Sequence, residues 1–308
     1  MIKYFTLEAS TDNLPLAVAT IAPKGYCRGV VQLTHGMTEH KERYEPFMEY
    51  LASKGYRCVI HDHRGHGLSV KTTDDLGYMY NGGWKALVED VKVVNNWIRQ
   101  QFPGMKCILM GHSMGSLAVR SFAKRYDSHI DGLIVCGSPS FNAASLTGMA
   151  LAKVMGWVKG EKHRSKLLNF LSFGSFCKQF PHEGFFNAWL CSNHDVLRDY
   201  NSDPLCKYVF TCNGFYNLFA MMRDCYNTNG WALKNRHMPV HFISGANDAC
   251  RISDNDFLKS VNAMKKVGYE TTSHLFPNMR HEILNETHKL LVWEHVSKTI
   301  DNFLSNKE

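Results

Sequence analysis

Ser113 sits in Gly111-His112-Ser113-Met114-Gly115, between an apolar run at 106–110 (KCILM) and a stretch with helical spacing at 117–126 (LAVRSFAKRY). A G-x-S-x-G turn from strand to helix holds a serine hydroxyl clear of the backbone, and it bends so sharply that residues without Cβ must flank it. A hydroxyl is a poor nucleophile until a base takes its proton, so a histidine and an orienting acid are required. Asp248 ends the turn Gly245-Ala246-Asn247-Asp248 directly after the run PVHFIS, and His281 follows TTSHLF in the loop 277–281. The order Ser, Asp, His is the one that accompanies such a turn. Asp254 and Asp256 compete from the next helix, but Asp248 alone lies in the turn itself. The tetrahedral oxyanion of acyl transfer needs two backbone N–H donors. Met114, next to the serine, supplies one; Met37, in His35-Gly36-Met37 after GVVQLT, supplies the other, with Gly36 letting the chain bend toward the substrate.

These residues must be carried by a sheet. Residues 2–8 and 16–21 read as a strand hairpin, and strand-like runs at 29–34, 57–61, 106–110 and 132–136 then alternate with helical patterns at 44–54, 83–102 and 113–126. The 83–102 helix gathers Trp84, Leu87, Val88, Val91, Val94, Trp97 and Ile98 on one face. Alternation of this kind predicts a parallel sheet, whose sites gather at the carboxyl ends of its strands. The rhythm breaks after Ser138-Pro139 for about seventy residues rich in Phe, Trp, Met and Lys, and it resumes with a strand at 239–244, a helix at 253–267, a strand at 271–276 and a helix at 291–304. The break predicts a helical cap, 140–210, inserted into a single domain spanning 1–308.

With these segments in view the chain resembles the α/β-hydrolase fold, and within it the monoacylglycerol lipase and bacterial lysophospholipase-like serine hydrolases. The resemblance covers essentially the whole chain and rests on HGMTEHKERY (35–44), DHRGHGLS (62–69), GHSMGS (111–116), WLCSNHDVLRDYNSDPLC (189–206), SGANDAC (244–250) and MRHEILNE (279–286). It implies a mostly parallel eight-stranded sheet with helices on both faces and an inserted helical cap. It also implies Ser113 as nucleophile, His281 as base, Asp248 as acid, Met37 and Met114 as oxyanion donors, no cofactor, and a small lipid-like monoacyl ester as substrate. Ala249-Cys250 departs from the Pro-Val common after the acid in such families. An amidase or peptidase of the same fold and a non-catalytic binding protein remain the alternatives. Ser113 disfavours the dehalogenases and epoxide hydrolases, whose nucleophile is an aspartate, and Gly36-Met37-Thr38-Glu39 differs from the Gly-Gly-Pro-Gly loop of proline iminopeptidases. His61-x-His63-x-x-His66 has the look of a metal-ligand run, but Gly65 stands where an aspartate belongs, and Asp62 and Arg64 suit a loop that ties its neighbours by hydrogen bonds.

Composition sets the remaining bounds. With 44% hydrophobic and 20% charged residues the chain is ordinary for a globular protein. Its apolar runs are short and its N-terminus lacks a signal-peptide pattern, so a cytoplasmic protein is expected. Ten cysteines without a C-x-x-C pair read as small buried hydrophobes. The net charge of +7 is concentrated in Lys153, Lys159, Lys162, Arg164, Lys166 and Lys178 against Glu161, beside an apolar face of Leu151, Val154, Met155 and Val158. That composition points to transient contact of the cap with a membrane surface rather than to nucleic acid.

Overall fold

The computed structural model describes residues 1–305. Strands β1 (Lys3–Glu8), β2 (Pro15–Ile21) and β3 (Gly29–Thr34) lead through helix α1 (Glu45–Ser53) to β4 (Tyr56–His61), and helix α2 (Gly83–Gln101) leads to β5 (Cys107–His112). Helix α3 (Met114–Tyr126) and strand β6 (Gly132–Cys136) follow. Then come four helices without a strand: α4 (Ser145–Lys159), α5 (Lys166–Cys177), α6 (His194–Ser202) and α7 (Cys212–Tyr226). Strand β7 (Val240–Gly245), helix α8 (Asp254–Val267), strand β8 (Thr271–Phe276) and helix α9 (Lys289–Ser305) complete the described chain. The strands form one eight-stranded sheet in the order β1-β2-β4-β3-β5-β6-β7-β8. Only β2 runs antiparallel to its neighbours, β1 and β4. The remaining pairings are parallel.

The period-2 alternation of strand side chains divides the core in two. Leu109, Leu133 and Val240 join Leu87, Val91 and Phe122 on the face covered by α2, α3 and α8. Ile108, Met110 and Ile134 join Phe47, Trp293 and Ile300 on the face covered by α1 and α9. Because β5 lies in the middle of the sheet and both its faces are covered, all six of its residues are buried. Each large apolar side chain sequestered in this way contributes roughly 1.5–3 kcal/mol relative to exposure.

The sequence expectation differs from the structure at three places. Strand β5 runs through His112, so Ser113 stands between strand and helix rather than opening the helix. Helix α7 has no counterpart in the sequence reading, although it packs on α2, α3 and α4 and joins the main core through Phe215 and Met221. Finally, the expected face of α4 divides: Leu151 and Met155 pack inward against the core, whereas Val154 and Val158 are exposed.

Candidate active site

The strand-to-helix turn puts Ser113 at φ 53° and ψ −118°, a conformation that L-residues avoid. Two neighbours make room for it. A Cβ on Gly111 would lie 2.4 Å from the Gly115 carbonyl oxygen, and one on Gly115 would lie 2.5 Å from the carbonyl oxygens of Thr34 and His35. Both approaches are closer than side chains tolerate, which is the physical demand behind the glycines of the motif.

His281 Nε2 lies 2.8 Å from Ser113 Oγ, and His281 Nδ1 lies 2.9 Å from Asp248 Oδ1. The structure therefore brings together the three residues that the sequence singles out from positions 113, 248 and 281. Asp248 also accepts hydrogen bonds from the Cys250 amide at Oδ1 and from the Ser244 hydroxyl at Oδ2, both at 2.8 Å. Burial disfavours its charge, but the His281 ring and these donors outweigh it and hold the carboxyl below its ordinary range. The competing acids turn elsewhere. Asp254 pairs with Arg251, and Asp256 caps α8 with Ser253.

Met37 and Met114 line the same pocket as Ser113. Met114 is the first residue of α3, where helix amides have no partner within the helix. The Gly36 amide is taken by Glu39, which leaves the Met37 amide as the next donor along the loop. A Cβ at Gly36 would lie 3.1 Å from Ser113 Cβ, so only glycine lets the loop approach the serine this closely without a shift.

A buried ionic network unassigned by the sequence reading braces these loops. Arg43 binds Glu282 through Nη1 and Nη2, at 2.9 and 2.6 Å, and binds Glu39 through Nη1 at 2.9 Å. Glu39 also receives the Tyr44 hydroxyl at 3.0 Å and faces His112 Nδ1 at 3.2 Å. The Glu282 amide donates to the Leu190 carbonyl at 2.7 Å, and Arg280 donates to the carbonyls of Ala188 and Cys191 and lies 3.8 Å from the Phe180 ring centroid. His281 is thus pinned by both of its chain neighbours, while Trp189 packs against its ring at 5.3 Å. Sequence adjacency is the one signal that points to these residues: Glu39 and Arg43 follow Met37, and Arg280 and Glu282 flank His281.

His112 gives the network a pH dependence. Its ring nitrogens face Glu39 Oε1 and the His281 carbonyl oxygen, both acceptors and both at 3.2 Å, so the doubly protonated ring satisfies them. Burial opposes that charge, but the Glu39 carboxylate outweighs it and holds His112 above the ordinary imidazole range. A raised folded-state pKa gives stability that is fully present below the unfolded value of about 6.5 and is lost as pH rises through the folded value. Melting temperature should therefore fall on the alkaline side. His112→Asn should flatten that slope, and an unchanged slope in this variant would show that another group carries it.

The His61/His63/His66 run does not converge on a point. Its rings pack with His35 in an aromatic group whose centroids lie 4.5 Å (His35–His63) and 5.0 Å (His61–His63) apart. Burial pushes His61 down to about 3 and His66 down to about 4, which keeps both rings neutral. Asp62 and Arg64 tie their surroundings: Asp62 accepts from the Lys41 and Leu68 amides, and Arg64 reaches Asp12 and Asp90. Among the described residues, the groups whose donor atoms gather within metal-binding distance are His40/Asp203/Cys206 and Asp248/Cys250/His281.

A pocket of about 650 Å³ opens over Ser113. Ser113, His281, Met37 and Met114 form its floor, and the helical segment supplies most of its apolar wall, including Leu151, Phe173, Phe176 and Trp189. Its size lies within the range of small-molecule sites, roughly 300–1,000 Å³.

The family model for serine aminopeptidase S33 (Hydrolase_4) matches residues 25–288. The chain is 25% identical over 285 residues to a monoacylglycerol lipase of Mycolicibacterium smegmatis, covering 90% of this chain and 89% of that protein. It is 27% identical over 285 residues to the human monoglyceride lipase, covering 88% of this chain and 84% of the relative. A carboxyl esterase from Bacillus coagulans, solved in complex with glycerol, superposes with a TM-score of 0.89 at 20% identity, covering 98% of this chain and 99% of the esterase. The family match spans most of the chain and the superposition carries the fold, so the protein belongs to the serine aminopeptidase S33 family and is a serine hydrolase of the α/β-hydrolase fold.

Proposed function

We propose that this protein hydrolyses monoacyl lipid esters, monoacylglycerols or lysophospholipids, through an acyl-enzyme on Ser113. The carrying observation is the Ser113–His281–Asp248 chain of hydrogen bonds at the floor of a largely apolar pocket of about 650 Å³. His281 Nε2 takes the hydroxyl proton as Oγ attacks the ester carbon, and the Met37 and Met114 amides receive the oxyanion. Collapse expels the alcohol with the proton returned by His281, and water then releases the fatty acid by the same steps. The lipase and lysophospholipase names of the relatives support this substrate class.

The charges in the pocket favour an ester over a peptide with a free amino terminus. Such a peptide needs an unspent carboxylate for its ammonium group. Glu39 and Glu282 are the carboxylates lining the pocket, and both are spent: Arg43 pairs with each, and the His112 ring, held above its ordinary range by Glu39, adds the second positive charge. Turnover of p-nitrophenyl esters of graded length, beside monoacylglycerol, lysophosphatidylcholine and an aminoacyl anilide, tests the reading. Rates that rise with acyl length are expected. Rapid anilide cleavage with slow ester cleavage, or indifference to acyl length, would overturn it.

The helical segment 140–210 serves as a cap that meets an anionic lipid surface. Trp157 is 87% exposed and Phe186 71%, with Val154, Val158 and Phe170 also exposed, and Lys153, Lys159 and Lys166 are exposed nearby in the sequence. Leu171 and Phe186 also line the pocket, so an acyl chain can leave a bilayer without crossing water. Two members of the basic cluster serve the fold instead: Lys162 pairs with Asp75, and Arg164 binds the Val209 and Asp74 carbonyls. Three lysines at about 1 kcal/mol each give reversible attachment, screened by salt. Co-sedimentation with phosphatidylserine vesicles should therefore weaken at high salt, in Trp157→Ser and in the triple lysine-to-glutamate variant. No pelleting of the wild-type protein at low salt would refute the contact. Among the described residues no helix is long and apolar enough to cross a membrane.

A further inference from the structure

Away from Ser113, His40, Asp203 and Cys206 bring an imidazole nitrogen, a carboxylate oxygen and a sulfur within 4.8 Å of one another. We propose that this trio is a Zn²⁺ site that staples the helical segment to the loop carrying Met37. The donor set selects the metal: a thiolate excludes Mg²⁺ and Ca²⁺, and mixed N, O and S donors suit Zn²⁺.

Glu42 stands where the outer partner of a metal-bound histidine belongs. His40 Nε2 faces Asp203 Oδ2 at 2.8 Å, while His40 Nδ1 lies 2.6 Å from Glu42 Oε2. A carboxylate on the far nitrogen of a ligating imidazole fixes its tautomer and raises its basicity. His40 and Cys206 are buried, whereas the Asp203 side chain remains 29% exposed, which leaves the ion an entry path and a fourth position for water. Bonds of about 2.1 Å to nitrogen and oxygen at a tetrahedral angle put those two atoms roughly 3.4 Å apart. Asp203 must therefore retreat by about half an ångström, and its exposure permits that movement. Binding releases two protons, one from His40 Nε2 and one from Cys206 Sγ. The resulting Zn²⁺, thiolate and carboxylate sum to zero charge. The nearby cations are already paired: Arg43 with Glu39 and Glu282, and Lys41 with Glu42 and Asp62.

The site joins two parts of the chain that bear on the pocket. His40 lies three residues beyond Met37, and Asp203 and Cys206 follow directly after α6. A second tie, Thr38 Oγ1 to the Tyr200 hydroxyl at 2.6 Å, spans the same seam. Zinc would thus hold the segment down beside the loop of Met37. This inference concerns metal binding and stands independently of the proposed reaction.

The test is titration of chelator-treated full-length protein with ZnCl₂ against a chromophoric chelator, with Co²⁺ as a spectroscopic substitute. One ion per chain, a near-ultraviolet thiolate-to-cobalt band and a raised melting temperature are expected. Cys206→Ser, a near-isosteric change, should abolish the band and weaken binding at least about 100-fold. Glu42→Gln should weaken it by about 10–100-fold while the band persists. The proposal fails if the wild-type protein takes up no zinc at tens of micromolar, or if the band survives Cys206→Ser. It fails equally if Cys250→Ala removes the band and Cys206→Ser does not, because the ion then sits on the other cluster, beside His281.

Discussion

Ser113→Ala is expected to fold and to lose ester turnover by about 10⁴–10⁶-fold. The Ser113 hydroxyl makes its side-chain hydrogen bond to His281, so its removal costs stability on the order of 1 kcal/mol. The effect on turnover is far larger, because no other group near His281 can carry the acyl chain. Cys250 Sγ is the nearest alternative, 3.9 Å from His281 Nε2, but burial and the Asp248 charge push its thiol well above the ordinary range. A thiol held protonated is a poor nucleophile. What remains in Ser113→Ala is binding and the oxyanion donors. Two measurements check this: steady-state hydrolysis of a soluble short-chain ester, and covalent labelling by a fluorophosphonate probe, which should vanish. Turnover near that of the wild-type protein would dispose of the mechanism, and a wild-type protein that resists the probe would favour a non-catalytic binding protein.

The second large effect is at Asp248, and here the geometry separates two substitutions. Asp248→Ala should reduce turnover by about 10⁴-fold, because His281 loses both its orientation and the charge that stabilises its protonated form. Asp248→Asn should be milder than Asp248→Ala, because the damage of a triad asparagine comes chiefly from the wrong tautomer. Oδ1 receives both the Cys250 amide and His281 Nδ1, so an asparagine has to place its carbonyl oxygen there. Its NH₂ then faces Ser244, whose hydroxyl can rotate to accept. The histidine keeps its tautomer and only the charge is lost. If asparagine proves as damaging as alanine, the amide has flipped and this account of the site is wrong. Asp254→Asn and Asp256→Asn should leave turnover close to that of the wild-type protein, since neither carboxylate faces His281.

How much of this is legible in the chain follows from the range of each interaction. The turn at Ser113 is local: a strand, two glycines and a helix start are all contained in residues 107–126, and backbone sterics at those glycines demand what the motif displays. Asp248 and His281 were also within reach, because each directly follows a strand of a parallel sheet, and the carboxyl ends of such strands meet at one edge. Hydrophobic periodicity located the strands for the same reason, since a strand covered on both faces reads as an unbroken apolar run.

The residues that brace the site became visible only in three dimensions. Nothing in the sequence pairs Arg43 with Glu282, or His40 with Asp203, because a charged side chain carries no periodic signature of its partner. Helix α7 escaped for a related reason: it follows a long strandless segment, and its place on α2 and α3 depends on the chain returning to the sheet. Helix α4 is the clearest case. Its apolar residues lie on more than one side, since Leu151 and Met155 face the core while Val154, Trp157 and Val158 face outward. A 3.6-residue period identifies one buried face on a helix that has only one. The composition of α4 makes the helix apolar, but which of its side chains line the pocket wall and which remain for a surface is set by its packing against α7 and the core.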